Sequence, residues 1–476
     1  MNKIHIETLG CRLNQDESEG TAFSFLNNNF SVDQETVTAK TPVSSDTILC
    51  ILNTCTVTAK AEQKARRIIR LLLKIYPEAV ILVTGCYAEL RSEEIKAIDK
   101  NRVCTLPGTK KFVLSAISYN MNKGELSVEK NLFNIASLEA FIAKTISIPT
   151  KKEEPFTLFA PVFEKHSRSS LKIQDGCNNN CAFCTIHQAR GKSVSLNVEE
   201  LVRRAKKLES NGSKEIVLTG VNLSQYADLS GEKIKDFADL LSSLLENTQK
   251  VKFRISSFYP QCVTPKLCEV LKNPRIQPFF HLSVQSGSDS ILKAMNRPYT
   301  AERVLNAVNL LRKSMNNPFI SCDIIAGFPG ETEENFEETK QMCEKAKFSW
   351  IHAFPYSIRP NTEAAVMKNQ ISDEIKTQRV AWLTQNAVEN KIEYVNSFAE
   401  KNLSCIVENS RSLSLSALNK NISRQKVHAV TDNMLHVEFE SESIIPSGTE
   451  VLVKITECLE ESIKNGSELD CKAALI

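Results

Sequence analysis

The stretch QDGCNNNCAFCTI, residues 174–186, places Cys177, Cys181 and Cys184 on one tight loop. Three thiolates at this spacing form a soft, anionic claw suited to an iron–sulfur cluster or to zinc. Structural zinc wants four ligands, and no fourth stands nearby. A four-iron cluster held by three cysteines keeps one iron open for a small molecule. The claw directly follows a β-type run at 171–174, and five more runs succeed it, at 215–220, 252–257, 280–285, 320–327 and 350–357. Helical patterns separate them. In NVEELVRRAKKLESNG (197–212), Val198, Leu201, Ala205 and Leu208 share one face and Gly212 stands at the capping position. Further helices are expected at 234–247, 301–315, 332–345 and 374–398. Repeated βα units imply parallel strands joined by right-handed crossovers. Six of them predict a partial (βα)6 barrel, because eight are needed for the closed form.

Outward from this core, the chain of 476 residues exceeds what one hydrophobic core serves, so several domains are expected. Residues 1–148 alternate strand-like runs (3–9, 47–52, 80–84) with helical ones, notably 59–75, which predicts a Rossmann-like αβ domain. Residues 149–170 read as a linker containing Pro149, Pro155 and Pro161, packed onto its neighbours through Phe156, Phe159 and Phe163. The barrel is assigned to 171–397. Short β-like segments over 398–461 predict a small all-β module, and 462–476 an unstructured tail. With 59 basic and 56 acidic residues the net charge is +3, so any surface for a polyanion must be local. The opening MNKIHIETLGC lacks the basic and apolar regions of a signal peptide, and no run reaches the ~18 apolar residues of a membrane span. The expectation is a cytoplasmic protein, in which fifteen cysteines are metal ligands, catalytic groups or buried hydrophobes and not a disulfide framework.

Three other cysteines, Cys11, Cys55 and Cys86, each follow a strand-like run, and a layered αβ fold either gathers them into a second three-ligand site or leaves them as separate buried thiols. In the central stretch every polar or glycine-rich cluster follows a strand: TGVN, ISS, VQSGS, DIIAGFPGET and FPYS. This is the rim on which βα barrels build their sites, although glycine, proline and serine also simply mark turns. Lys60, Lys64, Arg66, Arg67, Arg70 and Lys74 fall on one expected helix just after Cys55, either as phosphate contacts or as a solvated face. His281 and His352 read as core or strand-end residues.

The claw on the first βα loop of a six-unit barrel resembles the radical S-adenosylmethionine (SAM) superfamily. TLGC, NTCTVT and GCYAEL together with HLSVQSGSD, MNRPYT, GFPGETEENFEET and FPYSIRPNT resemble the methylthiotransferases over nearly the whole chain, and the last module resembles their RNA-binding TRAM domain. The resemblance implies two [4Fe-4S] clusters, one on Cys177, Cys181 and Cys184 that cleaves SAM to a radical, the other on Cys11, Cys55 and Cys86 that carries the inserted sulfur. It further implies tRNA as partner and a low-potential electron donor such as flavodoxin or ferredoxin. NTCTVTAKAEQKARR, SSFYP and HAFPYSIRPNT look most like the branch that methylthiolates C2 of N6-threonylcarbamoyladenosine beside the anticodon. The alternatives are isopentenyladenosine in tRNA, a ribosomal-protein aspartate, or, from another class, a non-catalytic RNA-binding zinc protein. From strand-end placement, Gly220, Asn222, Ser257, Gln285, Asp323 and Phe354 are the expected SAM contacts. The chain departs from the family pattern at His187, Gln188 and Val194, although Arg190 and Gly191 remain. Around Arg411, Lys420, Arg424, Lys426 and His428 a basic RNA face is expected in the last module.

Overall fold

The computed structural model describes residues 2–129, 132–148, 154–163, 166–412 and 425–476. Strands β1 (Lys3–Thr8), β2 (Ser31–Asp33), β3 (Thr47–Thr54), β4 (Val80–Gly85) and β5 (Val103–Thr105) form one parallel sheet in the order β2-β1-β3-β4-β5. Every residue of β3 and β4 is buried, as parallel strands covered by helices on both faces require. On one face lies the amphipathic helix Ala59–Ile75, whose N-cap Thr58 accepts a hydrogen bond from the Ala61 amide. On the other lies the helix Arg12–Asn27, which shows almost no amphipathic pattern because Asp16, Glu17 and Glu19 are buried alongside Leu13 and Phe25.

The central unit begins with β6 (Ser169–Lys172), followed by the short antiparallel pair β7 (Gln174–Asp175) and β8 (Val194–Ser195) around the claw. Then come β9 (Glu215–Thr219), β10 (Lys252–Ile255), β11 (Ser257–Phe258), β12 (Phe279–Gln285), β13 (Phe319–Ala326) and β14 (Trp350–Pro355). They form two parallel sheets, β10-β9-β6 and β11-β12-β13-β14, joined where the expected third strand breaks at Ser256. The result is the open six-unit wall that the βα repeat predicts. Helices Val198–Ser210, Phe237–Asn247, Ala301–Ser314 and Glu333–Ala346 cover its outside, each opened by a side-chain cap, from Asn197, Asp236, Thr300 and Thr332. One strand face packs Leu171, Ile216, Phe253, Phe280 and Ile320 against these helices, within a core that also takes Phe156 and borders Phe159 and Phe163. The opposite, inward face is polar, with Glu215, Arg254, His281, Ser283 and Asp323.

Beyond the helix Asp373–Asn396, strands β15 (Asn402–Ser412), β16 (Gln425–Thr431), β17 (His436–Ser441), β18 (Glu450–Cys458) and β19 (Cys471–Leu475) close a barrel in the order β15-β16-β17-β19-β18. The expected tail is therefore wrong: 462–476 includes the strand that seals the barrel. Its CKAAL sequence has little β-propensity, and pairing with β17 and β18 decides its conformation. This barrel sits beneath the N-terminal ends of the central strands, where Phe279, Phe319 and Trp350 join its core, and Arg168–Glu408 (2.8 Å) and Lys252–Glu450 tie it down. The expected basic RNA face is weakened, because Glu438 pairs with Lys426 (2.9 Å) and also engages His428 Nε2 (3.0 Å). Lys420 and Arg424, and the side chain of Arg411, lie outside the described residues.

Asp16 is buried where the first helix meets β6, accepting a hydrogen bond from the Ser170 hydroxyl (2.7 Å). Burial pushes its carboxyl up to about 7. A carboxyl raised on folding contributes stability at low pH that is lost as pH rises through that value. Asp16→Asn, which mimics the protonated form, is expected to narrow the fall in Tm between about pH 5 and about pH 8; an unchanged fall would contradict this assignment.

Candidate functional site

The sheet order β2-β1-β3-β4-β5 reverses direction between β1 and β3, and ligands of such sheets bind outside the carboxyl ends of the strands at that switch point. Cys11 follows β1, Cys55 follows β3 and Cys86 follows β4, so the three thiols collect at that edge. Gly10 lets the first two loops meet: at φ 111° it adopts a conformation that side chains disfavour, and a Cβ there would stand 2.5 Å from Cys55 Cβ. Gly85, at φ 95°, packs as closely onto Thr54, leaving 2.3 Å between such a Cβ and the Thr54 carbonyl. Burial pushes the Cys55 thiol up to about 11, with Cys11 and Cys86 adding repulsion, and burial raises Cys86 as well. Bare Cys55 and Cys86 thiols therefore stay protonated near neutrality, so their binding to a cationic centre releases protons to solvent.

At the claw, backbone amides of Asn179 and Ile186 donate to Cys177 Sγ and Cys184 Sγ, each at 3.4 Å. Arg297 Nη1 lies 3.2 Å from Cys181 Sγ while its guanidinium stacks 4.0 Å above the Tyr259 ring and donates to the Ser283 carbonyl. Burial raises the Cys184 thiol to about 12; the Ile186 amide opposes that and the neighbouring sulfurs of Cys181 and Cys177 add to it. Among the described residues no three or more His, Cys, Asp or Glu side chains converge as around a single metal ion. Soft thiolates, amide N–H groups aimed at sulfur and a flanking guanidinium fit the corners of an iron–sulfur cluster.

The rim residues divide. Asn222 is buried beside the claw, its backbone N–H donating to Gln174 Oε1 (2.8 Å) and its Nδ2 reaching towards Cys177 Sγ (3.7 Å). Its Oδ1 is buried without a partner among the described residues, an acceptor suited to a donor group of a bound cofactor such as SAM. Gly220 leaves no room for a Cβ, which would stand 2.7 Å from Leu223 and 3.0 Å from Gln174 Oε1. Gln285 ends β12 with φ 75°, Ser257 shares a hydrogen bond with Ser283 (2.9 Å), and Phe354 is exposed on β14. Asp323 departs from the expected strand-end placement: it lies inside β13, level with His352, bound to His281 Nε2 at 3.0 Å. His281 and His352, read from sequence as core or strand-end positions, instead stand on the inner wall with ring centroids 5.3 Å apart. At the positions of departure, Gln188 donates to the Asn361 carbonyl (3.1 Å), Val194 pairs with Asp175 in the short ladder, and His187 Nδ1 is buried without a partner among the described residues.

One side chain ties the segment after the claw to the N-terminal unit. Arg190, at the end of the helix Ile186–Arg190 that leaves the claw, reaches into the N-terminal unit and donates to Glu17 Oε1 (3.0 Å) and Asn14 Oδ1 (2.7 Å). It also donates to Asp175 Oδ1 (3.0 Å) and lies against Cys86. Lys172 adds contacts to Glu17 (2.8 Å) and Asp175 (2.6 Å), and Lys111 pairs with Glu17. Burial opposes ionisation of Glu17, but Arg190, Lys111 and Lys172 outweigh it and hold the carboxyl well below the usual range. On the far side Arg359 pairs with Glu62 and donates to Thr56 Oγ1 (2.8 Å), next to Cys55. Sequence reading noticed Arg190 but assigned it no role, and it missed Glu17, Lys111, Lys172, Arg297 and Arg359. The phrase GCRLNQDESE, in which carboxylates occupy a helix that must pack, was the available signal.

Residues 171–343 match the radical SAM superfamily and residues 3–106 match the uncharacterized protein family UPF0004. The chain is 42% identical over 452 residues to the threonylcarbamoyladenosine tRNA methylthiotransferase MtaB of Treponema pallidum, covering 86% of this chain and 92% of that protein. It is 34% identical over 461 residues to the MtaB of Bacillus subtilis, covering 96% and 94%. Among solved structures, the radical SAM methyltransferase TsrM of Kitasatospora setae shares the fold, with a TM-score of 0.51 at 12% identity over 77% of each chain.

Glu17→Gln leaves three buried cations short of their counter-charge, a loss expected to cost roughly 3 kcal/mol or more. Thermal unfolding should show a clear drop in Tm, and a wild-type Tm would mean that the network does not hold the units together.

Proposed function

The chain belongs to the threonylcarbamoyladenosine tRNA methylthiotransferase family within the radical SAM enzymes, and on that premise we propose that it methylthiolates C2 of N6-threonylcarbamoyladenosine next to the tRNA anticodon. The observation that carries this reading is that Arg190, from the helix after the claw, pairs with Asp175 beside the claw and with Glu17 and Cys86 of the N-terminal unit, because a carbon that loses hydrogen must meet sulfur within bonding reach. Cys177, Cys181 and Cys184 would hold one [4Fe-4S] cluster with its open iron towards SAM, and Cys11, Cys55 and Cys86 the other. When bound, these groups supply the radical that removes hydrogen from C2 and the sulfur and methyl groups that replace it.

The chain's own residues bind, orient and exclude water. Asn222 presents a buried acceptor beside the claw with no partner among the described residues, and Gly220 lets Leu223 and Gln174 pack closely behind it. Arg297, fixed by Tyr259, Tyr299 and the Ser283 carbonyl, places a positive charge against Cys181 sulfur. Arg190 does the same for Cys86 while locking the domains in register. His281, Ser283 and Asp323 offer hydrogen bonds along the inner wall, where the modified base would lie. Gln285 and Ser257 complete the proposed SAM surface. A low-potential flavodoxin or ferredoxin would supply electrons, and the protein would work in the cytoplasm. No described helix is long and apolar enough to cross a membrane.

Cys181→Ala is expected to abolish formation of 5′-deoxyadenosine from SAM, whereas Cys55→Ala should retain it and yield no methylthiolated nucleoside. Nucleosides from tRNA of a deletion strain should lack the 2-methylthio form of threonylcarbamoyladenosine. Loss of the isopentenyladenosine derivative instead would overturn the substrate assignment.

A further inference from the structure

The helix Ala59–Ile75 begins four residues after Cys55 and buries Ala65, Ile68, Ile69, Leu72 and Ile75 against the sheet. Lys60, Lys64, Arg67, Arg70 and Lys74 are exposed on its other side. Their spacing of four, three, three and four residues keeps them within about 120° of arc, close to one cation per turn over about 21 Å. Like charges at these separations repel and weaken a helix. Elsewhere the surface helices compensate: Arg203 and Arg204 both pair with Glu200, and Lys340 pairs with Glu337. None of the five forms an ion pair among the described residues, and the two other long charged side chains of this helix, Arg66 and Glu62, are engaged by Glu94 and Arg359. The Glu62–Arg359 pair fixes the helix to the loop after β14, so the cationic face holds a set position relative to both thiol trios.

A second feature adjoins the first turn. Val57 is 58% exposed, Ile358 51% and Phe354 43%, and the hydrogen bond from Arg359 to Thr56 (2.8 Å) brings the loops of Val57 and Ile358 together. An apolar, partly aromatic ledge at the mouth of a site, continued by a row of cations, has the make-up of a single-stranded nucleic-acid track, where bases stack and phosphates pair. A membrane surface does not suit it, because the helix spends its apolar face on its own domain.

We propose that Lys60, Lys64, Arg67, Arg70 and Lys74 bind the phosphate backbone of the anticodon stem-loop, and that Val57, Ile358 and Phe354 receive its unstacked bases as the modified nucleotide enters the site. This rests on the reading of tRNA as substrate. Five phosphate contacts to a single strand give a slope of about −3.5 for log affinity against log salt.

The test is the affinity of the full chain for a short anticodon stem-loop RNA across a salt series. The triple variant Lys64→Glu, Arg67→Glu, Arg70→Glu is expected to bind about 100-fold more weakly at low salt, with a slope shallower by about 2. The corresponding Gln triple should fall between it and wild type. Lys313→Glu with Lys345→Glu, on other helices, should change neither quantity. SAM cleavage without RNA should be equal in all variants, which separates a binding defect from a folding defect. A charge-reversed triple with wild-type affinity and slope, alongside wild type that modifies tRNA, would overturn the surface and leave the substrate reading intact. Wild type that neither binds nor modifies the RNA would overturn both.

Discussion

A buried carboxylate, Glu17, surrounded by Arg190, Lys172 and Lys111, is the constraint on which the arrangement of this molecule depends. Burying one charge without partners is costly, and burying four is tolerable only when their geometry satisfies one another. Glu17 belongs to the helix that opens directly after Cys11, Arg190 to the helix that closes the claw loop, and Lys172 to the first barrel strand. The network therefore forms only when the two domains are docked in one register. Such ion clusters add little net stability over an apolar interface, but they penalise every misaligned docking, and alignment is what a reaction shared between two clusters demands.

The two thiol trios are built differently for a common purpose. The claw takes all three thiols from one loop, so its geometry is local and is set by amides and by Arg297. The other trio comes from three strand ends, and its geometry depends on the sheet order and on the tight approach that Gly10 and Gly85 permit. A local set of thiols survives small shifts of the barrel, whereas the distributed set depends on the integrity of the whole N-terminal sheet. Arg190 pairs with Asp175 beside the claw and with Glu17 of the N-terminal unit, and Arg359 repeats the device through Glu62 and Thr56.

What was legible in the sequence was what local periodicity encodes. The claw spacing, the βα repeat, the helix at 59–75 and the strand-end position of Cys11, Cys55 and Cys86 all follow from patterns a few residues long. The helix Arg12–Asn27 escaped because its buried face is made of carboxylates, whose partners lie 94 to 173 residues away along the chain. β2 and β5 are three residues each, too short to show alternation, and β19 takes its conformation from its neighbours. Asp323 was placed at the rim because the polar run after it ends the strand, yet its pairing with His281 sets it on the inner wall. Charge partners and register are tertiary properties, and no local pattern contains them.

The central claim is that two iron–sulfur clusters face one shared space. Electron paramagnetic resonance of the chemically reduced, anaerobically reconstituted protein tests it most directly. Two neighbouring clusters should broaden each other's signals, and replacing Cys11, Cys55 and Cys86 together by Ala should leave the sharp spectrum of a single cluster. Identical spectra before and after that replacement would contradict the account.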